Sequence, residues 1–211
     1  MLLSLPLELK LVRMKKINKK LKTQKRVLNL GCGDSLSHDR KKEFMIDIAP
    51  AANPDLVWNL MDLPWPIEDN QFDFVYAENI IEHLPDTCGV MQEIWRVCRD
   101  KATVKIIVPH YTGFTSWSCP EHYKTFTSIS FDYFHKQFEC TSKRLKYSPH
   151  NRHPFLWKIL DWLINKNYII SDRFGSLIGG IAEIRLTLKA KKDGSLDDKK
   201  SYIGRGYSES K

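Results

Sequence analysis

From Arg26 onward, short apolar runs alternate with amphipathic stretches. VLNL at 27–30, FMIDI at 44–48, LVWNL at 56–60, FDFVYA at 72–77 and TVKIIV at 103–108 each have the length and the β-branched or aromatic content of a buried strand. Pro50 and Pro54 punctuate the link between the second and third runs. Between the fourth and fifth, Asp86 can accept the first free backbone N–H groups of a helix. The apolar residues of that helix, Val90, Met91, Ile94, Val97 and Cys98, fall on one face. Strand and crossover units in this sequence predict an α/β domain, mostly parallel, covered by helices.

After Pro109 the alternation loosens. Residues 110–134, HYTGFTSWSCPEHYKTFTSISFDYF, read as a long aromatic, histidine-rich loop, and a loop of that length in a compact domain is usually functional. FECTSKRLKYS at 138–148 resumes as a strand. FLWKILDWLINKN at 155–167 follows Pro154 and reads as a helix with Lys158, Asp161 and Asn165 on one narrow stripe, so most of it, Phe155, Trp157, Trp162 and Ile164 included, is expected in the core. IAEIRLTLKA at 181–190 alternates as a half-buried last strand.

The 211 residues, 42% hydrophobic and 27% charged, suffice for one packed domain and not for two. The net charge of +8 belongs to one end: residues 1–26 hold nine Lys or Arg against Glu8, leaving 24 basic and 24 acidic residues in the rest. The expected organisation is therefore a basic extension at 1–25, a domain at 26–192 and a Gly, Ser, Asp and Lys-rich disordered tail at 193–211, with Met14 an alternative start. The extension admits two readings, a solvated leader or a basic segment touching RNA or anionic membrane. No apolar run approaches the roughly 18–20 residues of a membrane span. The five cysteines show no Cys-x-x-Cys spacing, which fits a cytoplasmic location and provides no zinc knuckle.

The chemistry is concentrated at strand ends. A strand running into Gly31-Cys32-Gly33 lets the backbone turn sharply and approach a ligand at the carboxyl edge of the sheet. The third glycine of a dinucleotide fingerprint falls on Leu36, which argues against a nicotinamide oxidoreductase. Asp47, ending the second strand, can accept both hydroxyls of a ribose, and Asp62 after the third can accept an amino group.

Taken together, VLNLGCGDS, MIDIAPAANPD, NLMDLPWPIEDNQFDFVYAENIIEHLPD and VKIIVPH resemble the class I S-adenosylmethionine-dependent methyltransferases, in particular the small bacterial type-11-like domain. The resemblance covers residues 26–135 closely and 136–192 by pattern. It implies a Rossmann-like seven-stranded sheet, mostly parallel with an antiparallel last strand and helices on both faces. It also implies S-adenosyl-L-methionine as cofactor. Carried over by position, Asn29, Gly31, Cys32 and Gly33 would line the methionine part, Asp47 the ribose, Ile48 the adenine face, Asp62 and Leu63 the adenine edge, and Ala77 and Glu78 the sulfonium. Three departures stand out: Asn29 where many relatives are acidic, Ser35 at the third small position, and a span from Gly33 to Asp47 that leaves room only for a truncated first helix.

Methyl transfer needs alignment, a dry site and sometimes a base. His110, directly after the fifth strand, and His122, in CPEHYKTF, are the candidate catalytic residues, with Tyr111 and Tyr123 beside them as candidate substrate contacts. In EHLPD the histidine, His83, reads as capping or packing a short helix. No metal ligand is assigned, because His110, Glu121 and His122 lack a close metal spacing. Ala77-Glu78-Asn79-Ile80 stands where an Asn-Pro-Pro-Tyr motif would mark amide or exocyclic-base nitrogen as target. The expected activity is methyl transfer to an oxygen or nitrogen of a small or carbohydrate-like acceptor. The alternative is a non-catalytic scaffold of the same fold whose basic leader contacts RNA or anionic membrane.

Overall fold

The computed structural model describes residues 26–33, 42–148 and 155–192. The basic extension, the tail, Ser35 and most of the expected truncated helix lie outside the described residues. Seven strands form one sheet: β1 Val27–Leu30, β2 Glu43–Asp47, β3 Leu56–Val57, β4 Phe72–Glu78, β5 Cys98–Pro109, β6 Phe138–Lys146 and β7 Glu183–Ala190. The order is β3-β2-β1-β4-β5-β7-β6. The first five strands pair in parallel, while β7 runs antiparallel to both β5 and β6. This is the seven-stranded, Rossmann-like arrangement with a reversed last strand, surrounded by helices. Strand order reverses between β1 and β4, and the crevice beyond the carboxyl ends of those strands is where open α/β sheets bind ligands.

The buried strands are continuous in hydrophobicity because both faces are covered. Leu28, Leu30, Val75, Ala77, Val104, Ile106 and Val108 form one cluster with Val90, Met91, Ile94 and Val97 of helix α1, Thr87–Val97. Burying those four helical side chains contributes roughly 6–12 kcal/mol before chain entropy is counted. The helix starts where the sequence predicts: the Asp86 carboxylate accepts from the Gly89 N–H at 2.9 Å. At its other end Cys98 turns directly into β5.

Several expectations change in detail. The 110–134 stretch is not one loop, since it holds a short helix α2, Phe114–Ser118, and a 3-10 turn, Ser130–Phe134. β3 is reduced to two residues, and β5 begins five residues earlier than its apolar run. The helix read as 155–167 is α3, Phe155–Ile164, followed by a separate helix α4, Tyr168–Phe174. The break has a side-chain cause. Asn165 turns back to bond Leu145 N–H and C=O at 2.9 and 2.8 Å, and the Asn167 side chain caps α4 by accepting from Ile170 N–H at 3.1 Å.

The burial expected of α3 is corrected. Ile164 is core, but Phe155 is 78% exposed and Trp162 59% exposed, and Trp157 is half-buried near the Tyr147 ring. The polar stripe explains the reversal: Asp161 faces the sheet, where it pairs with Lys146 and accepts from Tyr147 N–H at 2.7 Å. A helix anchored to the sheet by a half-buried carboxylate presents apolar side chains outward.

Candidate active site

At the end of β1 the chain leaves the sheet through two glycines in the left-handed region, Gly31 at φ +62° and Gly33 at φ +48°. A Cβ at Gly31 would come within 2.6 Å of the Ile80 side chain, so this position needs glycine for both its backbone and its packing. Among the described residues a Cβ at Gly33 would meet nothing within 4 Å. Asp47 holds the loop in place: one carboxylate oxygen accepts from Gly33 N–H at 2.9 Å and the other from Ala49 N–H at 2.8 Å. Cys32 is buried, as expected of a small packing residue.

Ile48, just beyond Asp47, is 65% exposed, and Leu63 is exposed as well. Two apolar side chains left bare at the rim of the crevice suit the face of a planar base. The Asp62 backbone is fixed, its C=O accepting from Trp58 Nε1 at 2.9 Å, while its carboxylate has no hydrogen-bond partner among the described residues. Ala77 is fully buried at the end of β4, and Glu78 follows half-buried. Asn29, read as a departure, donates to Glu43 Oε2 at 3.1 Å, so β2 brings a carboxylate to the place where many relatives carry one on β1. The sequence reading missed Glu43, which lies 14 residues away on the neighbouring strand.

The other candidates divide into two groups. His110 is fully buried and both ring nitrogens are engaged. Nδ1 accepts from the Thr112 hydroxyl at 2.8 Å, and Nε2 donates to Asp172 Oδ1 at 2.8 Å. That tautomer follows from the neighbours, because Thr112 Oγ1 already accepts from Ile181 N–H and has its proton free to donate. Burial lowers the His110 pKa, and the Asp172 carboxylate opposes that shift. Asp172, on α4, also accepts from the Ser128 hydroxyl at 2.7 Å. The Tyr111 hydroxyl donates to the Asp172 C=O. Read from the sequence as a base and a substrate contact, His110 and Tyr111 instead tie the end of β5 to α4 and the 126–130 turn. Only the lone acidic residue inside the apolar YIISDRF hinted at Asp172.

His122 belongs to the second group. The 3-10 turn Ile81–His83 follows β4, and the Glu82 C=O accepts from Tyr123 N–H at 2.9 Å. This pins the 119–124 segment against the turn and sets the His83 and His122 rings edge to face, centroids 4.6 Å apart. Tyr123 itself points outward and is exposed. A cavity of about 360 Å³ opens here, lined by Asn79, Glu82, His83, Ser118, Cys119 and His122 among others. Glu82 is only 1% exposed, and neither carboxylate oxygen has a partner among the described residues. Burial pushes its pKa up to about 7. Burial lowers the His83 pKa, and His122 lowers it further. His83 ends the short turn and also lines this cavity.

A mostly parallel sheet with this strand order and an antiparallel end is the Rossmann-like methyltransferase fold. Residues 28–106 match the family described as Methyltransferase domain. Among solved structures the chain is similar to an S-adenosylmethionine-dependent methyltransferase from Archaeoglobus fulgidus, at 14% identity and TM-score 0.51 over 86% of this chain and 93% of that one. It is also similar to the YcgJ protein from Bacillus subtilis, at 13% identity and TM-score 0.52 over 86% and 98%. The [4+2]-cyclase SpnF matches as well, at 13% identity and TM-score 0.53 over 85% and 81%, so likeness at this level establishes the fold and not the reaction. No curated protein sequence matches. The family match adds what the fold alone does not: residues 28–106 carry a methyltransferase domain, and the chain is an S-adenosylmethionine-dependent methyltransferase. Its cofactor is S-adenosyl-L-methionine. The residues fit that ligand, with bare apolar residues at Ile48 and Leu63. No helix among the described residues is long and apolar enough to cross a membrane.

Proposed function

We propose that the enzyme transfers a methyl group to an oxygen or nitrogen atom of a small or carbohydrate-like acceptor held in the cavity beside Glu82. When bound, S-adenosylmethionine supplies an electrophilic methyl on a sulfonium. In this reading Gly31, Cys32 and Gly33 border its methionine part, with Asn29 supporting them from β1. Asp47 accepts from the ribose hydroxyls, Ile48 and Leu63 flank the adenine, Asp62 accepts from its amino group, and Ala77 and Glu78 stand next to the methyl. The protein's task is to align the acceptor and exclude water, since charge is lost during transfer and a dry site favours that loss.

The observation that carries the acceptor class is Glu82. A buried carboxylate with both oxygens unpartnered is costly unless a ligand satisfies it, and hydroxyl groups of a polyol are suitable donors. Asn79, Ser118 and His122 add further polar contacts in the same cavity. An apolar acceptor would leave the buried Glu82 unsatisfied. His122, which borders the cavity, remains a candidate to handle the acceptor's proton, with exposed Tyr123 at the rim. His110 and Tyr111 support the wall behind it.

The test is a screen with labelled methyl groups over sugars, polyols and small amines, repeated with Glu82→Gln. Assayed above the raised Glu82 pKa of about 7, where the carboxylate is ionised, loss of one charge-assisted hydrogen bond, about 1.5–3 kcal/mol, lowers kcat/KM for hydroxyl acceptors by roughly ten- to a hundred-fold. Binding of S-adenosylhomocysteine stays unchanged. Full turnover in Glu82→Gln would sink this placement of the acceptor.

A further inference from the structure

The cluster at the wall of this cavity contains a donor set that methyl transfer by itself does not need. His83, Cys119 and His122 bring one ligand atom each to within 4.8 Å of one another. Their sequence separation hides the group. Cys119 and His122 share a tight turn closed by His122 N–H to Cys119 C=O at 3.2 Å, while His83 comes from the other side of the cavity, 36 residues earlier. The bond from Tyr123 N–H to the Glu82 C=O locks the two pieces together.

We propose that His83, Cys119 and His122 bind one zinc-class divalent ion whose fourth position opens to the cavity that Glu82 lines. Three features support this. First, one imidazole is already oriented by a backbone carbonyl: His122 Nδ1 donates to Ser116 C=O at 3.1 Å, and the His83 ring meets the His122 ring edge to face at 4.6 Å. Such an outer partner fixes the tautomer and leaves the other ring nitrogen as a lone-pair donor, the usual arrangement of a metal-bound histidine. Second, two imidazoles and a thiolate form a borderline-soft set that favours zinc over magnesium or calcium. Tetrahedral coordination sets ligand atoms roughly 3.3–3.6 Å apart, so the three need only small side-chain rotations to close on an ion.

Third, Glu82 is a fully buried, unpartnered carboxylate in the wall of the same cavity. Three protein ligands plus an open position is the pattern of a catalytic rather than a structural metal site. With the ion bound, both ring nitrogens of His122 are engaged and the base role no longer falls to it: the ion would take an oxygen of the acceptor as its fourth ligand, while Glu82 accepted from the acceptor's remaining hydroxyl. This second role rests on the reading of the cavity as the acceptor site. The metal site itself does not.

The full-length protein is stripped with chelator and titrated with Zn²⁺ alone by calorimetry, and with Co²⁺ by absorption. The expected result is one ion per chain, with a thiolate-to-cobalt charge-transfer band and the visible bands of tetrahedral cobalt. Cys119→Ser abolishes the charge-transfer band and weakens Zn²⁺ binding at least ten-fold, His122→Ala weakens it likewise, and Cys140→Ser changes neither. Melting curves of each variant with S-adenosylhomocysteine verify that the fold and the cofactor end are intact. Failure to bind stoichiometric metal, or a thiolate band that survives Cys119→Ser, overturns the site. If metal binds but its removal leaves methyl transfer unchanged, the ion's role toward the acceptor is overturned. If no metal binds yet Glu82→Gln still loses turnover, the metal inference fails while the acceptor reading stands.

Discussion

Asp47→Ala is expected to abolish the thermal stabilisation that S-adenosylhomocysteine confers on the native chain. A ligand at a hundred times its dissociation constant stabilises a fold by about 2.7 kcal/mol, which for a domain of this size raises Tm by roughly 5–10 °C. The carboxylate is asked to do two things. It holds the Gly33 and Ala49 amides at 2.9 and 2.8 Å, shaping the glycine turn before any ligand arrives. In the proposed cofactor pose its remaining lone pairs accept the ribose hydroxyls, each such bond to a charged group contributing about 1.5–3 kcal/mol. Losing both bonds lowers affinity by roughly a hundred- to ten-thousand-fold, which removes the shift at ordinary ligand concentrations. Asp47→Asn keeps one acceptor oxygen for the loop and separates the two roles: an intact melting curve without ligand, together with a weakened ligand response, assigns the loss to the ribose. A full ligand shift in Asp47→Ala would reject the assignment of the ribose to this strand end.

The second large effect is structural. Asp172→Ala is expected to destabilise the fold by about 3–5 kcal/mol, because it orphans the buried His110 Nε2–H and the Ser128 hydroxyl together. For a chain of this length that lowers Tm by roughly 6–20 °C, a large fraction of the stability of an ordinary domain. Asp172→Asn retains an acceptor oxygen and is expected to cost less than half as much.

The same network has a pH signature. Burial lowers the pKa of His110 below its ordinary value near 6.5, so as pH falls past 6.5 the unfolded chain takes up a proton that the folded chain refuses. Stability contributed by His110 is thus present above that pH and is lost on acidification toward the lowered folded pKa. Glu82, held protonated by burial up to about pH 7, has the opposite slope. Melting curves between pH 7.5 and 5.5 in a Glu82→Gln, His83→Gln background, which also removes the lowered His83, therefore isolate His110. A His110 ring resonance that titrates at or above 6.5 would contradict the buried neutral tautomer.

The cofactor half of the site was legible before folding because each part of it is local. Gly31-Cys32-Gly33 ends one apolar run, Asp47 ends the next, and the helix from Thr87 to Val97 declares itself by its cap and its apolar face. Parallel strands joined by crossovers bring such strand ends to one edge, so position in the pattern already implies position in space. The acceptor half offered no such route. His110 and His122 stand only 12 residues apart in the same aromatic stretch, yet one ring is sealed behind Thr112 and Asp172 while the other lines the cavity with His83.

What the sequence by itself determined is the fold class, the cofactor and the strand ends that share one edge of the sheet, since hydrophobic period, capping and turn residues act over a few positions. The tertiary structure alone decided the partners that are distant along the chain: Asn29 with Glu43, His110 with Asp172, and His83 with Cys119 and His122. It also decided the exposure of α3. An apolar helix reads as core from its composition, but the inward pull of Asp161 on Lys146 and the Tyr147 amide turns Phe155 and Trp162 outward. Each of these outcomes depends on which surfaces meet, and local periodicity carries no record of that.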